Sequence, residues 1–475
     1  MVRRLLALTV SLLLLALGAS AQAAPATTGE KPPRARSAVA VFSLVAPQGA
    51  SPSGLVARAI VPGGTSCPVL KTRNGRGHLK STVMRERRAP ATTEAAFASL
   101  MACSAPIPAG AVSARVLGVA IPASMPRRID DMAVYGDTGC RLKGTTVQAC
   151  NDPDAWPLAA MSATIASARS DLTVFMGDFF YREVVCPPAS SDQCAGSPAP
   201  GALPFKDSAG GWTADVFTPM AAALAAAPVV VVRGNHEDCN RGGNGYFIYM
   251  DPREGTEGTC APVLDDSGTL VAPAPDITEP YYADVSVGPT RSLRLVVVDS
   301  AGDEDCTTTD LLGKQTAAYA AAQQMARGAT GEAWLLVHRP VIGWQVNDDC
   351  APAGGWIAAD QQVGSYGKLA DYDLLVSSHI HLVQSMNIPG IPGQLVVGNG
   401  STLLEEPTPF ALPTTGPSFD PSKAYPAPTS GWWDVRFGFV MAHPSAARSW
   451  SMEVRDPFGK AFANCSVAKK QVDCG

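Results

Sequence analysis

Residues 228–237 read Pro-Val-Val-Val-Val-Arg-Gly-Asn-His-Glu, and the order of residue types within them sets the fold. The near-continuous apolar run Pro228–Val232 predicts a strand with both faces covered. It breaks at Arg233-Gly234 and delivers an amide and an imidazole, Asn235 and His236, at its carboxyl end. The same arrangement recurs in both directions along the chain. Upstream, Met132–Tyr135 leads to Gly136-Asp137-Thr138-Gly139, and Leu172–Met176 leads to Gly177-Asp178. Downstream, Ala333–Val337 ends at His338, and Tyr372–Ser377 leads to Ser378-His379-Ile380-His381. Helical spacing at Trp156–Arg169, Trp212–Ala226 and Thr309–Arg327 falls between strands. Further strands are expected at Tyr282–Val287, Leu293–Val298, Gln394–Val397, Val435–Met441 and Trp450–Val454. Strands alternating with helices predict an α/β fold whose sheet is covered on both sides.

In such sheets the carboxyl ends of the strands converge on one rim, where ligands bind. Five distant points in the sequence would then meet. The chain holds 6 His, of which His236, His338, His379 and His381 take strand-end positions, while His78 and His443 fall elsewhere. A lone strand-end His is ordinarily a satisfied structural residue, and a lone Gly-Asp is a turn. Four His interleaved with Asp137, Asp178 and Asn235 need a common partner once buried. Carboxylate, amide oxygen and imidazole together suit Fe, Mn or Zn.

Asp137-x-Gly139, Gly177-Asp178-x-x-Tyr181, Gly234-Asn235-His236-Glu237, His338 and Ser378-His379-x-His381 resemble the motifs of the calcineurin-like metallophosphoesterases, nearest to their purple acid phosphatase type. The resemblance implies a four-layer α-β-β-α sandwich and two metal ions. One ion would be held by Asp137, Asp178, Tyr181 and His381, and the other by Asp178, Asn235, His338 and His379, with Asp178 bridging. Two departures flank the ligands: Ser378 stands where the family usually has Gly, and Leu335 where it has Val. A third is Gly139, where the commoner pattern has a His ligand. A Tyr181 phenolate would fill that vacancy and favour Fe(III) beside Fe, Mn or Zn; the plainer reading of Tyr181 is a packed aromatic.

The implied reaction is hydrolysis of a small phosphate ester, acid phosphatase-like, by hydroxide bridging the metals. His236 would act at the leaving oxygen as general acid or charge stabiliser, with Glu237 as its orienter. Monoesters are the expected substrates. A phosphodiesterase or nucleotidase of the same fold is the alternative, as is a secreted binding module that has lost its chemistry; such a module would lack a ligand, and none is lacking. Arg182, Arg233 and Arg339 flank motifs and suit either phosphate contact or structure.

With 46% apolar and 17% charged residues over 475 positions, the chain can bury a sizeable core, and one large domain plus a smaller one is expected. A net charge of -5 without a basic block argues against nucleic acid. The sequence lacks G-x-S-x-G and Gly-Lys-Ser/Thr, which argues against Ser-hydrolase and P-loop chemistry. Arg3-Arg4, the apolar run Leu5–Leu17 and Ala21-Gln22-Ala23 have the layout of a signal peptide over residues 1–23. The run is short of the ~20 residues a membrane span needs, so a secreted or periplasmic protein free of the membrane is expected. A leader over 24–36 would follow, then a small β-rich domain over 37–125 (strands Val39–Val45, Leu55–Val61, Ala114–Ile121), then a catalytic domain over 126–475. The 12 Cys point to disulfides, with the neighbours Cys140/Cys150, Cys186/Cys194, Cys239/Cys260, Cys306/Cys350 and Cys465/Cys474 as expected pairs.

Overall fold

The computed structural model describes residues 33–475 except 90–93, 202–205, 261–262, 265–269, 273–276, 304, 306–311, 346–354, 358, 408, 418–423 and 446–447. The expected signal peptide, most of the leader, Cys306 and Cys350 lie outside the described residues.

Short apolar strands with two buried faces organise the chain into two large sheets. In the first, Met132–Tyr135, Leu172–Phe175 and Val229–Val231 run parallel side by side. In the second, Arg291–Val298, Glu332–Val337, Leu374–Ser377 and Gln394–Val397 are also parallel in sequence of pairing. Side chains alternate between the faces, as strand geometry requires. Val134, Val174 and Val230 of the first sheet meet Leu295, Trp334, Leu336 and Val376 of the second in one buried core. Tyr135, Phe175 and Val231 point the other way, against Leu158, Met161 and Ile165 of the helix Leu158–Ala168. Val296, Leu335 and Val337 likewise pack on Tyr319, Ala322 and Ala326 of the helix Leu312–Arg327. The result is the expected α-β-β-α order of layers. Trp334 and Trp450 tie the sheets together, their ring centroids 4.6 Å apart and the Trp450 indole donating to Glu332 at 2.8 Å.

The β-rich segment 37–125 is continuous with this scaffold. Ala40–Val45 pairs antiparallel with Leu55–Pro62 on one side and parallel with Val229–Val231 on the other. Val69–Asn74, Leu79–Val83, Ala111–Val116 and Val119–Ile121 form a separate 4-stranded sheet. The single strand expected over Ala114–Ile121 is split there, because Leu117 and Gly118 adopt φ of 51° and 87° and reverse the chain.

The helix expected over Trp212–Ala226 is also broken. It forms as Ala209–Trp212, a π-turn Thr213–Phe217, and Ala221–Ala226. Pro219 sits at the break, where it removes a donor and its ring crowds the preceding turn. Cys140–Cys150, Cys186–Cys194, Cys239–Cys260 and Cys465–Cys474 are bonded as neighbours, and Cys67–Cys103 forms a further bridge. Among the described residues no helix is long and apolar enough to cross a membrane.

Candidate metal centre

The five strand ends do converge. Asp137, Asp178 and His379 leave their strands in the left-handed region, at φ of 58°, 56° and 74°. Asp and His tolerate that region better than most residues, and it turns each side chain back over the sheet rim. Glycines give the turns room: a Cβ at Gly234 would lie 2.2 Å from the Asp178 carboxylate. At Gly139 a Cβ would sit 2.6 Å from the Phe179 carbonyl and 2.9 Å from the Tyr181 ring, so Tyr181 fills the space that a side chain at 139 would need.

Asp137, Asp178, Tyr181, Asn235, His338, His379 and His381 come together in two sets that meet at Asp178. On one side, the Tyr181 hydroxyl lies 2.7 Å from Asp178 Oδ2, 3.3 Å from Asp137 Oδ1 and 3.0 Å from His381 Nε2. On the other, His338 Nε2 lies 3.2 Å from Asp178 Oδ2 and 2.9 Å from Asn235 Oδ1, and His379 Nδ1 lies 2.7 Å from the same amide oxygen. Asp178, His338 and His379 can converge on one point, and Asp137, Asp178 and His381 on another.

The hydrogen bonds around the imidazoles show what belongs there. His338 Nδ1 donates to the Met176 carbonyl at 2.8 Å, and His381 Nδ1 to the Leu403 carbonyl at 2.7 Å. His379 Nε2 faces Asp305 at 3.2 Å. Each ring's proton is thereby drawn to its outer nitrogen, and a lone pair faces carboxylate or amide oxygens inside. Acceptor facing acceptor across about 3 Å is repulsive unless a cation lies between. Burial first, then the Asp178 charge, pushes Asp137 well above the usual carboxylate range, which is the signature of an anionic pair short of positive charge. The same two causes, burial and then Asp178, push the Tyr181 phenol up. The donor set fits two metal ions.

Ser378, one of the departures from the family pattern, donates to the Met176 carbonyl at 2.8 Å and adds a contact that helps seat His338. Glu237 does not orient His236. Its carboxylate accepts the backbone N–H groups of Asp178, Phe179, Phe180 and Gly234 at 2.8–3.1 Å, and so clamps the Asp178 and Asn235 turns to each other. The carboxylate beside His236 is Glu183, 2.6 Å from Nδ1, while the Tyr181 ring stacks on the imidazole at 3.7 Å. Burial opposes its charge, yet His236, Arg241 and Lys206 hold Glu183 below the usual carboxylate range. Sequence reasoning missed Glu183 because a Glu two residues past Tyr181 follows no recurring pattern. Arg182 and Arg233 are structural, paired with Asp215 at 2.7 Å and Asp299 at 3.1 Å. Arg339 opens onto the cleft and pairs with Asp305.

No curated protein matches the sequence. Among solved structures, the purple acid phosphatase PPD1 from yellow lupin (Lupinus luteus) seeds is similar at 12% identity and a TM-score of 0.53, covering 90% of this chain and 74% of that one. PhoD is similar at 12% identity and a TM-score of 0.53, covering 94% of this chain and 93% of its own. At that identity the likeness is one of fold. The family model for calcineurin-like phosphoesterases matches residues 132–383, which contain all seven ligand-type residues and His236. That stretch is more than half of the chain, and on it the protein belongs to the calcineurin-like phosphoesterase family.

Proposed function

We propose that the protein is an exported, binuclear phosphoesterase of the purple acid phosphatase-like type, acting on small phosphate monoesters. The observation that carries this reading is the Asp178 carboxylate, placed between the Asp137–Tyr181–His381 set and the Asn235–His338–His379 set. In this reading the first set and Asp178 hold Fe(III), favoured by the phenolate, and the second set and Asp178 hold Fe, Mn or Zn. When bound, the ions supply Lewis acidity toward phosphate oxygens and a nucleophile near neutral pH.

The chain's own residues do the rest. His236, braced by Glu183 and stacked on Tyr181, presents its other ring nitrogen to the leaving oxygen. Burial pushes its pKa down to about 4, against the raising pull of Asp178 and Glu183. A proton held there is readily given up, which suits a donor working on the acid side. Export is supported by the residue 1–23 pattern and the disulfides, and a small phosphate ester rather than nucleic acid by the net charge of -5 without a basic block. Residues 37–125 serve in this reading as a β-rich N-terminal unit fused to the catalytic domain over 126–475.

The test is turnover of p-nitrophenyl phosphate by the purified chain with and without a strong chelator. Loss on chelation and return on loading with Fe together with Zn or Mn is the expected result. Absence of turnover in the loaded protein would sink the monoesterase reading. In the iron-loaded protein, Tyr181→Phe is expected to abolish the visible phenolate absorption band; an unaltered spectrum would remove Tyr181 from the ligand set.

A further inference from the structure

One wall of the cleft carries cations that the reading above leaves unused. Arg141 and Lys143 stand on the hairpin formed by Leu142–Lys143 and Thr146–Val147, which the Cys140–Cys150 disulfide closes. Arg241, near the Cys239–Cys260 bridge, joins them in lining a cleft of about 420 Å³ together with Tyr181 and His381. Arg241 is partly neutralised, 3.3 Å from Asp238 and 3.9 Å from Glu183. Among the described residues neither Arg141 nor Lys143 has a carboxylate within ion-pair distance.

The Arg141 guanidinium instead points Nη1 at His381 Nδ1, 3.3 Å away, a nitrogen whose proton already goes to the Leu403 carbonyl. Its Nε is buried without a partner. Lys143 is pushed down first by partial burial and then by Arg241 and Arg141, against the opposing pull of Glu183 and Asp178. Asp305 on the same cleft is taken up by Arg339, and Glu405 accepts from Gln345 at 2.8 Å. Crowded, half-buried cations with no carboxylate in direct contact are costly, and an anion seated against them relieves the cost. One phosphoryl group seated on the ligand cluster would leave them unmet.

We infer that the disulfide-closed hairpin 140–150 is a second anion subsite, so that the cleft takes phosphoesters bearing a further anionic group, a phosphate or a carboxylate, beside the scissile phosphate. This deepens the phosphoesterase reading and rests on it for the position of the first phosphate.

The experiment is calorimetric binding of phosphate, methylenediphosphonate and phosphonoacetate, whose P–C bonds are not hydrolysed, to the metal-loaded full chain, for the parent, Lys143→Gln, Arg141→Gln and Lys143→Arg. A charge-assisted contact of this kind is worth about ten- to a hundredfold. The parent is expected to bind a two-anion probe tighter than phosphate by that factor. Lys143→Gln and Arg141→Gln should each erase most of the ratio, and Lys143→Arg should keep it. Preference for methylenediphosphonate alone identifies a second phosphate, and for phosphonoacetate as well a site that also accepts carboxylate. A ratio equal in parent and both Gln variants overturns the subsite. Binding is read without turnover, so a protein that hydrolyses no ester would refute the proposed activity while leaving this ratio to decide the subsite.

Discussion

On the floor of the cleft, the ligand-type side chains leave the carboxyl ends of five strands and are fixed by main-chain geometry and backbone carbonyls. Around its rim, Arg141 and Arg241 sit on loops closed by the Cys140–Cys150 and Cys239–Cys260 bridges. The floor is tied to the sheets, because each of these side chains follows directly on a strand end. The rim is held by local covalent ties that leave the sheets untouched. On the proposed function, chemistry and selectivity are thus built on separate supports, which is the division expected when rigid scaffolds carry variable loops.

That division can be broken most forcefully at Asp178. Asp178→Asn keeps the left-handed turn but removes the charge shared by both ligand sets. It should lower the bound metal, measured by elemental analysis, and bring turnover to background. Retention of full metal content and activity would mean that the two sets do not depend on a common carboxylate. Next in size is His236→Ala, which is expected to keep the metals and lose about a hundred- to ten-thousandfold in kcat. Glu183→Gln should act through His236, moving the pH profile of kcat while KM changes little.

A smaller effect sharpens the contrast from the rim. Cys140→Ser with Cys150→Ser should cost about 2–3 kcal/mol in denaturant unfolding. The metal content of the floor should stay as it was, and its loss would show that rim and floor are one unit. The least effect on activity is expected at Asp207, buried beneath the Arg241 loop and accepting from Gly245 at 2.6 Å. Burial raises this carboxyl to about 7, against the hydrogen bonds from Gly245 and Trp212. A folded-state pKa above the unfolded value means that the native protein binds the extra proton between about pH 4 and 7. Its stability contribution is therefore lost as pH rises through that window. Urea midpoints at pH 4.5 and 7.5 should shift in favour of Asp207→Asn at the higher pH; parallel midpoints would refute the raised pKa.

What could be read in advance follows the same line. Val229–Val231 or Leu374–Ser377 betrays itself because both faces are buried and nearly every residue is apolar, and the ligand types then follow shortly after. Ala461–Ala468 was not legible: its buried positions are the small residues Ala463, Cys465 and Val467, a weak alternation that resembles a loop. Glu183, Arg141 and Lys143 were missed for a different reason. Their role depends on where the loops after the strands fold back over the rim, and no local pattern in the sequence encodes that. Glu237 misled because adjacency to His236 suggested contact, while the turn points its carboxylate at backbone amides instead.

The left-handed backbone at Asp137, Asp178 and His379 has a consequence for how such a protein can change over generations. Glycine would relax the main chain at any of the three and delete a ligand-type side chain. Glutamate in place of either aspartate would retain an oxygen donor on a longer arm, in a conformation that residues other than Gly, Asn, Asp and His adopt at a cost of about 1–3 kcal/mol. Asparagine keeps the turn and forfeits the charge. These positions are therefore isolated in sequence space, and drift in this lineage is expected to run through the stapled loops while the three turns stay fixed.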